Sequence, residues 1–333
     1  MRNGVTMIKF ATIGTSAITE RFIEAGCRHK EFKLEGVYSR NQEKAAIFGE
    51  KYGVKKYYHQ LKEIAEDKSI DAVYIASPNS LHFQQADYLM RTGKHILCEK
   101  CLASNDREVT ALFQTARENE VILLEAMRSI FDPGYESIKE NLYKIGQVRK
   151  INFNFCQYSS RYNSFKQGNT PNIFNPALSA GALMDIGIYL VQPLIGLFGS
   201  PEVINAMSLK LKNGIDGMGS VIAQYEDKLA HLDYSKITSS TLASQIQGEN
   251  GEMIISEISN PRNVIIKYNN GKKEELEIDP CDNNMYYEVG YFMDMIVGKK
   301  SPKIYNNISK LSIKLMDQVR KQTGICFEAD EIV

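Results

Sequence analysis

The chain has 333 residues, and its 40 Lys and Arg balance 40 Asp and Glu, so the formal net charge is zero. That length fits two domains of roughly 100–200 residues each, and the neutral balance offers no electrostatic footprint for nucleic acid or an anionic membrane. No apolar run approaches the roughly 18–20 residues that span a bilayer, and the polar start at Met1–Thr6 predicts no signal peptide.

The cysteines and histidines predict a reducing compartment and no metal site. Six cysteines in a chain of this length do not form a disulfide scaffold, so we expect reduced thiols in the cytoplasm. The five histidines are scattered, and no pair of them has the spacing of metal ligands.

Short apolar runs alternate with amphipathic stretches over the first 130 residues. The predicted strands are Met7–Ile13, Phe32–Ser39, Ala72–Ala76, His95–Cys98 and Val121–Ala126, and the predicted helices are Ile18–Ala25, Gln42–Tyr52, Leu81–Arg91 and Asp106–Asn119. Uniformly apolar strands are typical of a parallel sheet that is covered by helices on both faces. The βα repeat of about 25–30 residues predicts an α/β doubly wound parallel sheet of the Rossmann type, a dinucleotide-binding domain, in residues 1–130.

The pattern changes after Gly146. Ile151–Gln157 alternates apolar and polar residues, as a half-exposed antiparallel strand does, and further strand candidates follow between Val203 and Tyr268. Helical patterns return at Ala180–Phe198, Met285–Val297 and Asn307–Gln322. Residues 131–333 are therefore predicted to form an α+β domain on a mostly antiparallel sheet, for substrate binding and oligomerisation.

The first predicted strand leads into Gly14, Thr15, Ser16, Ala17 and Ile18. A dinucleotide-binding turn needs one glycine for a tight bend and a second so that the backbone can approach a pyrophosphate at the helix N-terminus. Gly14 meets the first requirement, and Ser16 stands in the second position. The match is partial, since a βα turn with one glycine is common in α/β proteins of other functions.

The second predicted strand ends at Ser39 and Arg40. An acidic residue at this point would bind the ribose 2′-hydroxyl of NAD, whereas an arginine suits the 2′-phosphate of NADP. Glu35 lies too early in the strand for this role, so the charge pattern favours NADP, with NAD as the alternative. In the competing interpretation Arg40 only caps an exposed loop.

Polar residues follow the next two predicted strands, at the sheet edge where open α/β sheets bind ligands. They are Ser77, Pro78, Asn79 and His82 after Ala72–Ala76, and Glu99 and Lys100 after His95–Cys98. A lysine that leaves a buried strand is costly unless it is paired or used, and Lys100 could hydrogen-bond a substrate hydroxyl. His82 either contacts the ligand or serves only as a capping or packing residue.

The segment Gly181–Tyr189 places Asp185 and Tyr189 at positions i and i+4, on one face of a predicted helix. The glycines at 181 and 187 are costly inside a helix unless another group approaches closely. A tightly packed helix with a Tyr–Asp hydrogen bond would explain this pattern. A proton-transfer pair would also explain it, with Lys100 as the cation that lowers the pKa of the phenol.

Together these motifs resemble the Gfo/Idh/MocA oxidoreductases, in particular the branch of dimeric dihydrodiol dehydrogenases and NADP-dependent aldose dehydrogenases. The resemblance covers nearly the whole chain and is carried by Gly14, Ser39, Arg40, Ala76–Asn79, His82, Glu99, Lys100, Glu125–Met127 and Gly181–Tyr189. It implies that a hydride is exchanged between a nicotinamide and a carbinol carbon of a sugar, polyol or diol.

The resemblance also implies catalytic roles. Lys100 matches the lysine of the family's Glu-Lys-Pro motif, and Asp185 and Tyr189 match its second motif. Tyr189 would be the general acid/base, Lys100 would lower its pKa and orient the substrate, and Asp185 would position them. Two positions depart from the pattern, since Cys101 replaces the usual proline and Ser16 a glycine, but neither change removes a catalytic group.

Further contacts are expected at five positions. Arg128 stands where similar proteins often carry an aromatic residue, and it would touch either the cofactor or an anionic substrate. Arg161, Tyr162, Asn172 and Phe174 lie in a long polar loop before Asp185, and such loops tend to be functional. They are candidates for substrate binding or for an oligomer contact.

We therefore expect a cytoplasmic NAD(P)-dependent dehydrogenase that acts on a small molecule and binds neither nucleic acid nor membrane. It is expected to be a homodimer or homotetramer that assembles through its C-terminal sheet. Two alternatives stay open: a non-catalytic nucleotide-binding sensor of the same fold, and a glycoside hydrolase that uses bound NAD for transient oxidation.

Overall fold

The computed structural model describes residues 7–331, so the predicted polar start at Met1–Thr6 lies outside the described residues. The chain forms two compact units. The first contains the residues up to Arg128 together with Cys281–Asn307, and the second contains Ser129–Pro280 and the residues from Ile308 onward. This division differs from the predicted domains, 1–130 and 131–333, because Cys281–Asn307 belongs to the first unit.

The first unit begins as alternating strands and helices. Its strands are β1 (Ile8–Ile13), β2 (Phe32–Tyr38), β3 (Lys56–Tyr58), β4 (Ala72–Ile75), β5 (His95–Glu99) and β6 (Leu123–Ala126). Its helices are α1 (Ala17–Gly26), α2 (Gln42–Lys51), α3 (Leu61–Glu66), α4 (Asn79–Met90) and α5 (Asp106–Glu118). The strands pair in parallel in the order β3-β2-β1-β4-β5-β6, which confirms the predicted doubly wound sheet.

The sequence pattern does not predict β3 and α3. Strand β3 has three residues, of which only Tyr58 is buried, so it leaves no apolar run in the sequence. Helix α3 begins with a capping box in which Glu63 accepts a hydrogen bond from the amide of Gln60 at 2.9 Å. Helix α4 begins at Asn79 rather than at the predicted Leu81, because Pro78 occupies its N-cap position.

Aromatic side chains form much of the core of the first unit. Phe22 of α1 stacks on Tyr74 of β4 with ring centroids 3.8 Å apart, and the ring of Phe10 lies 4.8 Å from that of Phe32. The segment Cys281–Asn307 joins this core, because its Phe292 ring lies 6.0 Å from Phe10. An amphipathic pattern shows that a helix has an apolar face but not which partner covers it, so the pattern could not assign Cys281–Asn307 to the first unit.

The second unit is built on one large sheet. Between Ser129 and Pro280 its helices are α6 (Pro133–Asn141), α7 (Tyr162–Lys166) and α8 (Ile188–Phe198). Its strands are β7 (Val148–Cys156), β8 (Val203–Lys210), β9 (Asp216–Gln224), β10 (Leu229–Ser235), β11 (Ser244–Gly248), β12 (Gly251–Ile255), β13 (Val264–Tyr268) and β14 (Lys273–Glu275). They are followed by α9 (Met285–Ile296), which belongs to the first unit, and by α10 (Lys303–Thr323) and α11 (Glu328–Glu331).

The described strands of this sheet follow the order β14-β13-β12-β11-β7-β10-β9-β8. Strands β7 and β10 pair in parallel and the other pairs are antiparallel, which confirms the predicted mostly antiparallel sheet. Alternate side chains of β7 and β10, among them Phe153 and Tyr234, are buried, and α8 packs against both strands.

The segment Pro176–Phe198 is more apolar than expected. It is long enough to cross a membrane and contains an 18-residue window of mean hydropathy 1.6, so the expectation that no run approaches this length is wrong. However, 72% of that window is buried inside the structure, as is typical of a core helix in a soluble protein.

Candidate functional site

The turn after β1 has the tight bend that the sequence analysis expects of a dinucleotide-binding turn. Gly14 has a φ of +113°, and a Cβ at this position would lie 2.8 Å from a backbone carbonyl oxygen just past β4. Ser16 takes the N-cap position of α1, and both Ser16 and Ala17 are exposed, whereas Thr15 and Ile18 are partly buried. The first-turn amides and the positive end of the helix dipole therefore face an approachable surface, which fits a dinucleotide.

Arg40 lies beside this turn at the carboxyl edge of the sheet. Strand β2 ends at Tyr38, which pairs with the end of β1, so Ser39 and Arg40 are the first residues beyond the strand. The Arg40 side chain is exposed. Glu35 is engaged mid-strand in ion pairs with two lysines at 2.7 and 3.6 Å. A cationic side chain at this edge suits the 2′-phosphate of NADP better than the 2′-hydroxyl of NAD.

His82 connects the loops that follow β4 and β5. Its side chain has no exposed surface, and Nδ1 lies 2.7 Å from the carbonyl oxygen of Cys101 while Nε2 lies 2.8 Å from that of Ser77. The prediction that His82 contacts the cofactor directly is therefore wrong, and it is a packing residue instead. Ser77, Pro78 and Asn79 are only partly buried, so they can line the cofactor site.

Lys100 follows β5 next to the partly buried Glu99. The Tyr74 hydroxyl donates a hydrogen bond to Oε1 of Glu99 at 2.5 Å. Burial raises the pKa of Glu99, and Tyr74, Lys100 and Arg128 partly offset that increase. Lys100 is half-buried, and its peptide bond to the fully buried Cys101 is cis. The lysine thus stands at the ligand-binding edge within the electrostatic field of Glu99.

Arg128 lies near the buried carboxyl group of Glu288 in the same unit. Its Nη1 donates a hydrogen bond to Oδ1 of Asn284 at 3.1 Å. Glu288 of α9 is fully buried, and within residues 7–331 neither of its carboxyl oxygens has a hydrogen-bond partner. Burial and the nearby Glu99 raise the pKa of Glu288, and Arg128 and Arg21 partly offset this. A cofactor or substrate contact by Arg128 stays a prediction.

In the second unit, the predicted helix Ala180–Phe198 starts with a different geometry. Gly181 has a φ of +140° and precedes the helix, and a π-helical turn at Leu183–Gly187 leads into α8. The buried carboxylate of Asp216 accepts hydrogen bonds from the amides of Ala182 and Leu183 at 3.1 and 2.6 Å. Such π turns are frequent at functional sites, and this one carries Asp185.

A buried lysine holds Asp185. Nζ of Lys236 lies 2.8 Å from Oδ2 of Asp185 and donates a hydrogen bond to the carbonyl oxygen of Ile173 at 3.0 Å. Both side chains line a polar cavity of about 240 Å³, together with Gln157, Tyr158, Ser159, Ser160 and Ile186. One turn further on, the half-buried Tyr189 packs edge-on against Phe155, with ring centroids 5.7 Å apart.

Lys236 is a functional candidate that the sequence analysis does not identify. It follows the last residue of β10, as Lys100 follows β5. The rule that singles out Lys100, a charged residue directly after a strand with buried side chains, applies equally to Lys236. However, β10 alternates apolar and polar residues, which predicts a half-exposed strand. A lysine at the end of such a strand is expected to be solvent-exposed, so the pattern does not mark Lys236.

The predicted substrate loop is only partly available to a ligand. Phe174 is fully buried in a cluster with Phe165, so the prediction that it contacts substrate is wrong. Tyr162 packs on that cluster, with its ring centroid 5.7 Å from that of Phe174. Arg161 and Asn172 are exposed, and their substrate roles stay predictions. In residues 7–331, no three His, Cys, Asp or Glu side chains are grouped so that they could hold a metal ion.

Comparison with known families gives two matches along the chain. Residues 8–127 match the model of an oxidoreductase family with an NAD-binding Rossmann fold, GFO/IDH/MocA. Residues 142–254 match the GFO/IDH/MocA C-terminal domain. The two matches account for the parallel sheet of the first unit and for much of the sheet of the second.

Individual proteins are similar over nearly the whole length. The chain is 42% identical over 327 residues to scyllo-inositol 2-dehydrogenase (NADP(+)) IolU of Bacillus subtilis, covering 98% of this chain and 100% of that protein. It is 30% identical to trans-1,2-dihydrobenzene-1,2-diol dehydrogenase of Xenopus tropicalis, covering 89% of this chain and 92% of that protein. The structure of KijD10, a 3-ketoreductase from Actinomadura kijaniata in complex with NADP and TDP-benzene, has the same fold, with a TM-score of 0.85, 21% identity and coverage of 96% and 98%.

Proposed function

Because this chain belongs to the Gfo/Idh/MocA oxidoreductase family, we propose that it is an NADP-dependent dehydrogenase of polyols, diols or sugars. NADP, when bound, supplies the nicotinamide that exchanges a hydride with a carbinol carbon. The Gly14 turn would hold the pyrophosphate and Arg40 the 2′-phosphate. The observation that carries the proposal is the Asp185–Lys236 ion pair, which lines a polar cavity one helical turn from Tyr189.

Three side chains divide the proton chemistry in this proposal. Tyr189 accepts the hydroxyl proton as the substrate is oxidised and returns it in the reverse direction. The family pattern assigns the accompanying cation to Lys100, which would orient the substrate hydroxyl. Asp185 accepts a hydrogen bond from a substrate hydroxyl and so determines which carbinol carbon is presented.

The proposed substrate is a small cyclic molecule with adjacent hydroxyl groups. The names of two similar proteins describe enzymes that act on scyllo-inositol and on a dihydrobenzene diol, which are both rings with adjacent hydroxyls. The cavity of about 240 Å³ beside Asp185 is of a size for one such ring, and its polar lining suits hydroxyl groups.

We propose in addition that the protein is a cytoplasmic homodimer or homotetramer. Alternate side chains of the adjacent strands β8, β9 and β10 expose apolar surface on one face of the sheet: Met207 is 80% exposed, Leu209 55%, Ile222 51% and Leu229 51%. Several exposed apolar side chains on one sheet face support a protein–protein interface there. None of the cysteines in the described residues forms a disulfide, which supports a reducing compartment.

A cofactor and substrate panel tests the proposed reaction. The purified protein is assayed with NADP⁺ and NAD⁺ against inositol isomers, a trans-dihydrodiol, aldoses and linear polyols, by the absorbance of the reduced nicotinamide. We expect turnover of at least one ring polyol or diol with NADP⁺ preferred. Lys100→Met is expected to lose turnover, while Lys62→Ala, at an exposed lysine of α3, retains it. NADPH binding without turnover of any panel member would instead indicate a sensor.

A further inference from the structure

The position of Lys236 is unusual for a lysine. Its side chain is only 2% exposed, although it carries an ammonium group. That group lies 2.8 Å from Oδ2 of Asp185, donates to the carbonyl oxygen of Ile173 at 3.0 Å and lies 4.9 Å from the ring centroid of Phe174. A buried charge persists in a fold only when partners compensate for the lost water, and these three groups provide that compensation.

The ion pair is asymmetric with respect to solvent. The Asp185 side chain is 36% exposed, whereas its lysine partner is almost completely enclosed. The lysine therefore approaches the carboxylate from the protein interior and leaves its outer side to the cavity. A carboxylate has about four acceptor sites on its two oxygens, so Asp185 can accept from a hydroxyl donor in the cavity in addition to its protein partners.

A second carboxylate acts on the same lysine. Asp216 is fully buried, and the positive charge of Lys236 partly offsets the effect of burial on its pKa. Because Asp216 also accepts the amides at the start of the turn that carries Asp185, it fixes the backbone on one side of the pair. Lys236 thus lies in the field of two carboxylates, one interior and one facing the cavity.

Other titratable groups lie on the elements packed around this turn. They are Tyr234, His231 and Asp233 of β10, Cys156 at the end of β7, Tyr158 after it, and Tyr189 of α8. His231 and Asp233 lie 3.4 Å apart on the alternate side of β10 from the buried Tyr234. Lys236 contacts the Asp185 carboxylate directly, so its removal takes a positive charge away from that group.

We infer that Lys236 is a positioning residue that fixes the Asp185 carboxylate, in its ionised form, as the hydroxyl acceptor of the cavity. This role deepens the proposed function and rests on it for the identity of the ligand as a polyol. The paired charges of Asp185 and Lys236 sum to zero at the cavity, so the site suits uncharged polyols and diols, which gain a carboxylate acceptor without bringing a net charge of their own.

An NMR titration tests the coupling without relying on turnover. The full-length protein is labelled with ¹³Cγ-aspartate, and the Asp185 signal is identified by its absence in Asp185→Asn. We expect this carboxyl to titrate below the ordinary aspartate value of about 3.9, and about one pH unit or more higher in Lys236→Met. Lys236→Arg, which retains the charge, should preserve the low midpoint.

Lys94→Met is the matched control, because Lys94 is also a buried lysine, only 4% exposed, but donates to the carbonyl oxygens of Asp67 and Ile70. This variant is expected to leave the Asp185 midpoint unchanged. A wild-type midpoint at or above the ordinary value, or an unchanged midpoint in Lys236→Met, would overturn the inference. The wild-type measurement decides the question even if Lys236→Met does not fold.

A double-mutant comparison tests the link to catalysis. We expect Lys236→Met to lower kcat/KM for a neutral polyol about 10–100-fold through both kcat and KM, with the Kd of NADPH unchanged. If Lys236 acts through Asp185, the double variant with Asp185→Asn loses no more than Asp185→Asn alone. Fully additive losses would contradict the inference. If no polyol is turned over by the wild type while the titration shows the coupling, the proposed function fails and the role of Lys236 stands.

Discussion

The amide of Leu183 donates a 2.6 Å hydrogen bond to Oδ2 of Asp216, at the start of the turn that carries Asp185. Burial raises the pKa of Asp216 to about 6, although the amides of Leu183 and Ala182 oppose that increase. Asp216, which is distant in sequence, therefore fixes the backbone of the turn that carries Asp185, the proposed hydroxyl acceptor. The arrangement depends on close approach, because a Cβ on Gly181 would lie 2.2 Å from Oδ1 of the same carboxylate.

Gly181→Ala is expected to destabilise the protein by roughly 1–3 kcal/mol or more, since the residue has a φ of +140° and the new methyl group would collide with Asp216. Chemical denaturation measures the loss. Gly214→Ala is the matched control, because Gly214 also has a positive φ, of +91°, but a methyl group added there would meet no atom within 4 Å. Equal losses in the two variants would show that backbone strain alone, rather than contact with Asp216, requires Gly181.

Tyr189→Phe is expected to lower kcat by about 10²–10⁴-fold, because the variant keeps the ring but loses the hydroxyl that exchanges the substrate proton. The Kd of NADPH should stay within twofold of wild type, as measured by fluorescence titration. Tyr143→Phe, at a side chain that is 75% exposed, serves as the control and should be fully active. Wild-type turnover in Tyr189→Phe would remove the phenol from the mechanism.

Arg40→Ala is expected to raise the Kd of NADPH about tenfold or more while changing that of NADH little, since the guanidinium would contact the 2′-phosphate alone. Titrations with both reduced cofactors measure the change in preference. Lys62→Ala removes another exposed cation of the first unit and should leave both constants unchanged. An equal loss of affinity for NADPH and NADH would show that Arg40 does not act through the 2′-phosphate.

Glu288→Met is expected to stabilise the protein by roughly 1–3 kcal/mol at pH 8, because it removes a buried carboxyl whose oxygens have no partner within residues 7–331. The pKa of Glu288 is raised in the folded state, so the native protein retains this proton above the unfolded value of about 4.3. Folding stability contributed by this group therefore falls as the pH rises from that value toward the folded pKa.

The stabilisation by Glu288→Met should consequently be small near pH 4 and grow as the pH increases. Thermal unfolding across that pH range measures it. Glu66→Met, at an exposed glutamate, is expected to stay within about 0.5 kcal/mol of wild type throughout. A stabilisation that does not change with pH would show that Glu288 carries the same charge in both states.

Met207→Glu is expected to dissociate the proposed oligomer and so lower the mass measured in solution, because it puts a charge into the apolar face of β8 where the side chain is 80% exposed. Light scattering after size exclusion measures the mass. Ile304→Glu changes a side chain of the first unit that is 71% exposed, and it should leave the assembly intact. Dissociation by the Ile304 variant but not by the Met207 variant would assign the interface to another surface.

The parallel sheet was predictable because most of its strands are short, mainly apolar runs and amphipathic helices alternate with them. Strand β3 was not, since a three-residue edge strand with one buried side chain leaves no periodic pattern. Helix α9 was recognised as a helix, but its placement in the first unit depends on contacts such as that of Phe292 with Phe10. Periodicity shows which face is buried and carries no information about the partner that covers it.

The candidate site shows the same division between local and distant information. Gly14, Arg40 and Asp185 were identified because each is marked by its position relative to a strand or helix. The pairing of Asp185 with Lys236 joins two residues far apart in the chain, so only the fold brings them together. The sequence also could not predict that His82 and Phe174 are buried. A polar or aromatic residue near a strand end or in a loop gives the same sequence pattern whether it contacts a ligand or the core.

The two carbonyl oxygens on either side of the His82 imidazole have a consequence for the cofactor loops. A neutral ring can donate to only one of them at a time, through Nδ1 to Cys101 or through Nε2 to Ser77. The choice of tautomer therefore decides which loop is tethered more firmly. Transfer of a single proton from one ring nitrogen to the other would exchange the tighter tether between the two loops, and the carbonyl oxygen that lost its donor would move away from the unprotonated nitrogen.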